Sequence, residues 1–112
     1  MSEVDVPGRL AALAEPNRFR IVELLRSGPR SVGGIVTALG LAQPQVSRHL
    51  RILGEADLVE AHRQAQQRIY RLRAQSFREL DAWFATFSRI WEDRMDQLDE
   101  LLREPDDDGR RP

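Results

Sequence analysis

The sequence contains no cysteine, no lysine and no long hydrophobic run. Without cysteine, the chain cannot form a disulfide, a thiolate metal site or a thiol nucleophile, and this composition suits a reducing compartment. Its apolar runs are only a few residues long, so no segment is expected to cross a membrane. The opening MSEVDVPGRL carries acids where a signal peptide carries basic residues before a long apolar region. These absences predict a cytoplasmic protein.

The charges of the chain are unevenly distributed, although the formal net charge is only −1. All seventeen basic side chains are arginines. Residues 17–75 hold ten arginines against four acids, whereas residues 76–112 hold six arginines against eleven acids. Such asymmetry is typical of a protein whose basic part binds a polyanion and whose acidic part serves assembly or solubility.

Hydrophobic periodicity predicts one mainly α-helical domain over residues 1–104, since 112 residues are enough for a single core. Two strands, LVEAHRQ and RIYRLRA, are expected to form a small hairpin around a polar turn at residues 65–67. Ser76 and Glu79 resemble a capping box that opens a last helix at about 76–104, and residues 105–112 are expected to form a disordered tail. Earlier helices are expected at residues 8–14, 16–27, 32–39 and 44–56.

The helix QPQVSRHLRILGE has one apolar face and one polar face. At about 100° per residue, Val46, Leu50 and Leu53 fall within a narrow sector, and the polar side chains face away or flank it. Arginine can pair with guanine and glutamine with adenine, while serine and histidine can reach phosphates or base edges. A solvated surface would explain any one of these residues. The order of short helix, turn at Gly40, half-polar helix and basic hairpin, however, predicts a winged helix-turn-helix.

The segments LAEPNRFRIVELL, QPQVSRHLRIL and IYRLR together resemble the ArsR-type family of bacterial winged helix-turn-helix repressors over about residues 10–73. The last helix is similar to that of the branch named for a sporulation-delay repressor. The resemblance implies a homodimer that binds a two-fold symmetric DNA operator, blocks transcription and releases DNA when it senses an effector. It implies that the second helix of the motif enters the major groove and that the wing also contacts DNA. The candidate DNA-binding residues are Ser31, Gln43, Gln45, Ser47, Arg48, His49, Arg51, Arg63, Gln66, Gln67 and Arg68.

The chain departs from the resemblance at the positions where relatives bind metals. Metal-sensing members carry a Cys-x-Cys pair in the third helix, and here the matching positions are about Ser31 and Gly33, neither of which is a ligand. Other members bind zinc between their last helices through Asp and His pairs, but the last helix here lacks histidine. Its acids could form only an all-oxygen site, and a solvated face explains them better. No metal site and no cofactor are expected.

An apolar stripe runs along the last helix in steps of three and four residues. It extends over about 40 Å, which is longer than one small winged domain can cover. An ordinary core helix and a cofactor pocket around Trp83 and Trp91 are alternative explanations. Pairing with the same helix of a second copy, helped by the first helix, would bury the stripe most simply. The expected dimer interface is formed by Leu10, Leu13, Phe84, Phe87, Trp91, Met95, Leu98 and Leu102.

The sequence therefore predicts a homodimeric, sequence-specific DNA-binding regulator of transcription that acts as a repressor. The alternative is a winged helix that binds only other proteins, and salt-dependent retention on a DNA column would distinguish the two. An enzyme is not expected, because the chain lacks a Ser-His-Asp order, a glycine-rich phosphate loop and paired carboxylates in an apolar pocket. The effector and the operator sequence are left open.

Overall fold

The computed structural model describes the backbone of residues 4–109 and the side chains of residues 4–103. The chain divides into two compact units, of which the first ends at Glu79 and the second begins at Leu80. The order of elements confirms the predicted winged helix-turn-helix. The elements are α1 (Val6–Ala14), α2 (Pro16–Leu25), β1 (Arg30–Ser31), α3 (Val32–Leu39), α4 (Gln43–Glu55), β2 (Val59–Gln64), β3 (Gln67–Leu72) and α5 (Ala74–Gly109).

Short-range hydrogen bonds determine where the helices of the motif begin and end. The hydroxyl of Ser31 accepts a hydrogen bond from the backbone N–H of Gly34 at 3.0 Å, so Ser31 caps α3. Gly40 ends this helix with φ of 67°, in the left-handed region that glycine adopts without strain. The next helix begins after Ala42, whose backbone N–H donates to Oε1 of Gln45 at 3.3 Å.

The sheet has three antiparallel strands in the order β1-β3-β2. The predicted hairpin is confirmed, and its last cross-strand pair is Gln64 with Gln67, which leaves a two-residue loop. Ala65 in that loop has φ of 57°, a conformation that costs an L-residue roughly 1–2 kcal/mol. The two-residue strand Arg30–Ser31 was not predicted, because so short a strand shows no periodicity.

The core of the first unit lies between the helices and the base of the wing. Val46, Leu50 and Leu53 of α4 are buried, as their spacing predicted. Because α4 holds these three side chains inside, its opposite face is exposed to solvent. The other fully or nearly fully buried apolar side chains of this unit are Ala12, Ile21, Val22, Leu25, Ile35, Leu58 and Val59.

The capping box predicted at Ser76 is wrong. The last helix begins two residues earlier, at Ala74, and Ser76 lies inside the first turns with only 1% of its surface exposed. Glu79 instead accepts a hydrogen bond from Nη1 of Arg9 at 2.8 Å, and the same nitrogen donates to the carbonyl oxygen of Ser76 at 3.3 Å. A buried guanidinium requires a charged partner, and Glu79 supplies it. The last helix also ends later than predicted, because its backbone is helical to Gly109 and not only to about residue 104. Of the predicted tail at residues 105–112, residues 110–112 lie outside the described residues.

The ion pair between Arg9 and Glu79 is expected to make stability depend on acid. Hydrogen bonds from Arg9 and then Gln75 hold the pKa of Glu79 below its ordinary value of 4.5. A lowered carboxyl pKa stabilises the fold fully above the ordinary value, and this contribution is lost as the pH falls through the folded-state pKa. We therefore expect the urea midpoint of the parent to fall more steeply than that of Glu79→Gln between about pH 5 and about pH 3.

The same variant should be less stable than the parent at neutral pH, because the buried Arg9 loses its nearer acidic partner and keeps only Asp57, whose Oδ2 lies 4.0 Å from Nη2 of Arg9. Glu23→Gln is the matched control, since Glu23 pairs with an exposed arginine, Arg26, at 2.9 Å. Its unfolding curves should follow those of the parent at each pH. Parallel pH profiles for the parent and Glu79→Gln would contradict this explanation.

Candidate nucleic-acid interface

The outer face of α4 presents polar side chains to solvent. Gln43, Ser47, Arg48 and Arg51 are exposed, as predicted for residues that read DNA. Gln45 is half-buried, and its amide oxygen accepts a hydrogen bond from the backbone N–H of Ala42. The buried face of the same helix fixes the directions in which these side chains point.

The tip of the wing carries two arginines directly opposite each other. Arg63 of β2 pairs in register with Arg68 of β3, and both are exposed. Like charges at opposite positions of a strand pair destabilise each other. Gln66 in the loop and Gln67 beside it are also exposed. The tip is therefore suited to contact an anion.

The base of the wing has the opposite character, because its arginines are paired with acids. Nε of Arg71 donates to Oε2 of Glu60 at 2.8 Å, and Nη1 of Arg73 lies 3.7 Å from Oδ1 of Asp57. The hydrogen bond from Arg71 lowers the pKa of Glu60 below its ordinary value. These charges largely neutralise one another before any ligand arrives.

The arginines of residues 4–79 thus form two groups. Among the side chains that the structure describes, Arg48, Arg51, Arg63 and Arg68 make no hydrogen bond or ion pair to another protein group, and all four belong to the predicted DNA-binding set. The arginines of this unit that do have a partner are Arg9, Arg18, Arg20, Arg26, Arg30, Arg71, Arg73 and Arg78.

An open groove of about 660 Å³ separates α4 from the wing. Arg51 and Arg68 line opposite sides of this groove. Its floor is apolar where Leu50 and Val59 contribute, and Glu60 belongs to its lining as well. Residues of α4 and residues of the wing, the two elements of the predicted interface, therefore line the same groove. The other predicted residues that line it are Gln43 and Ser47.

Two predicted DNA-binding residues lie elsewhere. The prediction for His49 does not fit the structure: only 5% of its surface is exposed, and its ring lies beside Arg18 in the interior. The burial of His49 could have been predicted from the sequence. His49 follows Val46 by three residues and precedes Leu53 by four, so it shares their helical face. Ser31 is half-buried at the start of α3, where its hydroxyl already caps the helix.

The second unit carries most of the predicted dimer interface on α5. The apolar side chains from Phe84 to Leu102 are exposed, and 64% of the surface of Trp91 is accessible. Trp83 makes edge-on aromatic contacts with Phe84 and Phe87, at centroid distances of 4.9 and 4.8 Å. In the first unit, Leu10 and Leu13 of α1 are half-buried. The exposed residues of the predicted stripe are Phe84, Phe87, Trp91, Met95, Leu98 and Leu102.

Within the part of the chain that the structure describes, no cluster of three or more histidine or acidic side chains could hold a metal ion. None of the helices in that part combines the length and the apolarity that crossing a bilayer requires.

Comparison with known proteins identifies the family. The model of the bacterial regulatory proteins of the arsR family matches residues 15–61, which include the helix-turn-helix. The transcriptional repressor SdpR of Bacillus subtilis is 30% identical over 76 residues, which cover 68% of this chain and 84% of that protein. The chain belongs to the arsR family of bacterial regulatory proteins. This ArsR-family chain is therefore a DNA-binding regulator of transcription and not an enzyme, as its sequence predicted.

Other ArsR-type proteins are similar to this chain. The repressor SmtB of Mycobacterium tuberculosis is 44% identical over 70 residues, which cover 62% of this chain and 52% of that protein, so the chain spans about half its length. A crystal structure of an ArsR family transcriptional regulator has a TM-score of 0.70 at 26% identity and covers 82% of this chain and 97% of that one. A homodimeric winged helix-turn-helix DNA-binding domain from Mycobacterium bovis has a TM-score of 0.61 at 29% identity and covers 82% of each chain.

Proposed function

We propose that this ArsR-family regulator is a cytoplasmic homodimer that represses transcription by binding a two-fold symmetric operator. The observation that carries the proposal is the group of arginines without a protein partner, Arg48, Arg51, Arg63 and Arg68. An unpaired, exposed guanidinium can bind a phosphate or a guanine without first breaking an intramolecular contact. The names of the relatives SdpR and SmtB as repressors support the direction of the regulation.

The two elements have different tasks in this proposal. The outer face of α4 enters the major groove, where Arg48, Arg51 and Gln43 reach base edges and select the sequence. The wing tip, with Arg63 and Arg68, contacts the phosphate backbone and supplies affinity that does not depend on sequence. The base of the wing contributes little to either, because its arginines are already neutralised by acids.

Dimerisation accounts for the exposed stripe of α5. A large apolar side chain gains about 1.5–3 kcal/mol when it is fully buried, so leaving this stripe in water would be costly and would favour aggregation. Two copies joined along α5 and α1 can present their α4 helices to successive major grooves, about 34 Å apart. Each contact with DNA is then made twice, which is how a small reading surface gains affinity.

Salt dependence of operator binding tests this proposal. The operator is first obtained by sequencing the DNA that the purified protein enriches from genomic fragments. If each subunit neutralises three to five phosphates, the logarithm of the affinity should fall with the logarithm of the salt concentration at a slope of about −5 to −9. A slope near zero, or no binding to any duplex in dilute buffer, would contradict the proposal.

The same titration should assign the phosphate contacts within the wing. Arg68→Gln should reduce the magnitude of the slope by about 2, because one contact is lost in each subunit. Arg71→Gln is the matched control on the same strand, and it should leave the slope unchanged because Arg71 is paired with Glu60. Equal effects of the two substitutions would show that pairing with an acid does not decide which arginines reach DNA.

A further inference from the structure

A polar cluster behind the reading surface joins three helices. Arg18 of α2 donates from Nε to the carbonyl oxygen of Ala12, in the last turn of α1, at 2.8 Å. Its Nη1 lies 3.4 Å from Nδ1 of His49, which belongs to α4. Glu15, between α1 and α2, accepts the backbone N–H of Arg18 at 2.8 Å, and its Oε1 lies 4.0 Å from the same nitrogen of His49.

The chemistry of this cluster assigns a role to each group. A guanidinium can only donate hydrogen bonds, so Nδ1 of His49 must accept in this arrangement. Because His49 is buried, its ring depends on protein partners rather than on water. One planar side chain therefore connects the end of α1 to the inner face of α4, and Glu15 fixes the backbone from which Arg18 extends.

We infer that Arg18 and His49 are positioning residues for operator recognition, which fix α4 at its angle to α1. The inference rests on the proposed homodimer, in which α1 contributes to the contact between subunits. A rotation of α4 against α1 would occur in both subunits and would change the distance between the two reading helices. Base contacts require exact placement, whereas phosphate contacts by long arginines tolerate displacement.

Two substitutions of His49 test the inference because they differ in where they place an acceptor. Asparagine places its amide oxygen near the position of Nδ1, whereas glutamine places it near Nε2. His49→Asn should keep the ratio of operator affinity to unrelated-DNA affinity within about threefold of the parent, and His49→Gln should lower it at least about tenfold. Both variants should retain the parent's affinity for unrelated DNA and its salt slope.

Arg18→Lys provides an independent test, since it keeps the charge but cannot donate to both Ala12 and His49 in the same geometry. It should also lower the affinity ratio about tenfold or more. Arg26→Lys is its matched control, because Arg26 of the same region forms only an exposed pair with Glu23. Thermal unfolding of each variant establishes which of them are folded at the assay temperature.

The possible outcomes separate the inference from the proposed function. A parent that does not distinguish the operator from unrelated DNA contradicts the proposed function itself. If the parent does distinguish them, equal ratios for His49→Asn and His49→Gln overturn the inference. Should His49→Gln be unfolded, Arg18→Lys decides: a ratio equal to that of the parent overturns the inference, and a tenfold loss supports it.

Discussion

Replacing either Arg48 or Arg51 by alanine is expected to remove most of the preference for the operator while the dimer persists. Both side chains are exposed on α4 and make no described hydrogen bond or ion pair, so their removal should cost the fold little. A bidentate contact to a base is worth about 1–3 kcal/mol, and each substitution removes it from both subunits. The expected loss is about 2–6 kcal/mol, or about 30-fold or more in affinity.

The measurement compares fluorescence anisotropy titrations of the operator and of an unrelated duplex, with light scattering as the check on assembly. Arg26→Ala is the control, because it also removes an exposed arginine but one that pairs with Glu23 at the end of α2. Its binding curves should match those of the parent. If Arg48→Ala and Arg51→Ala bind the operator as the parent does, α4 is not the element that reads the sequence.

Much of the fold could be predicted from the sequence because its signals are local. Ser31 and Gly40 delimit α3 through bonds and angles that involve neighbouring residues, and the spacing of Val46, Leu50 and Leu53 reflects the burial of one helix face. Local signals fail when a distant group competes for the same side chain. The ion pair with Arg9 is such a case, since it recruits Glu79 from seventy residues away and removes it from the expected capping box.

The sequence predicted which helix and which hairpin form the candidate DNA interface, but not which of their arginines pair with acids. Arg68 and Arg71 belong to the same strand and look alike in the sequence, yet only Arg71 faces an acid, Glu60, across the strand pair. The register that creates this pair follows from the two-residue loop after Gln64, and the three-residue turn predicted at residues 65–67 would have shifted it. The sequence alone shows which strand carries arginines. The strand register is also needed to tell which of these arginines lack an acidic partner.

A single acidic substitution in the stripe of α5 is expected to separate the subunits. Trp91→Glu replaces an exposed apolar side chain with a carboxylate. In the proposed interface each subunit would then bury one such carboxylate, which is costly. The loss of two buried apolar side chains alone amounts to about 3–6 kcal/mol, so the dimer dissociation constant should rise at least about 100-fold. Light scattering should then report the monomer mass of 12.9 kDa at concentrations where the parent is a dimer.

The matched control is Thr86→Glu, which adds the same charge to the same helix about 140° away from Trp91. Thr86 is exposed, and the control should remain dimeric and bind the operator as the parent does. Trp91→Glu should lose affinity for the full operator but keep the parent's affinity for an isolated half-site, because each subunit retains its α4 and its wing. If Trp91→Glu has the mass of the parent dimer, the stripe does not join the subunits. If it is monomeric yet binds the full operator undiminished, the two-fold operator is wrong while the assignment of α4 still stands.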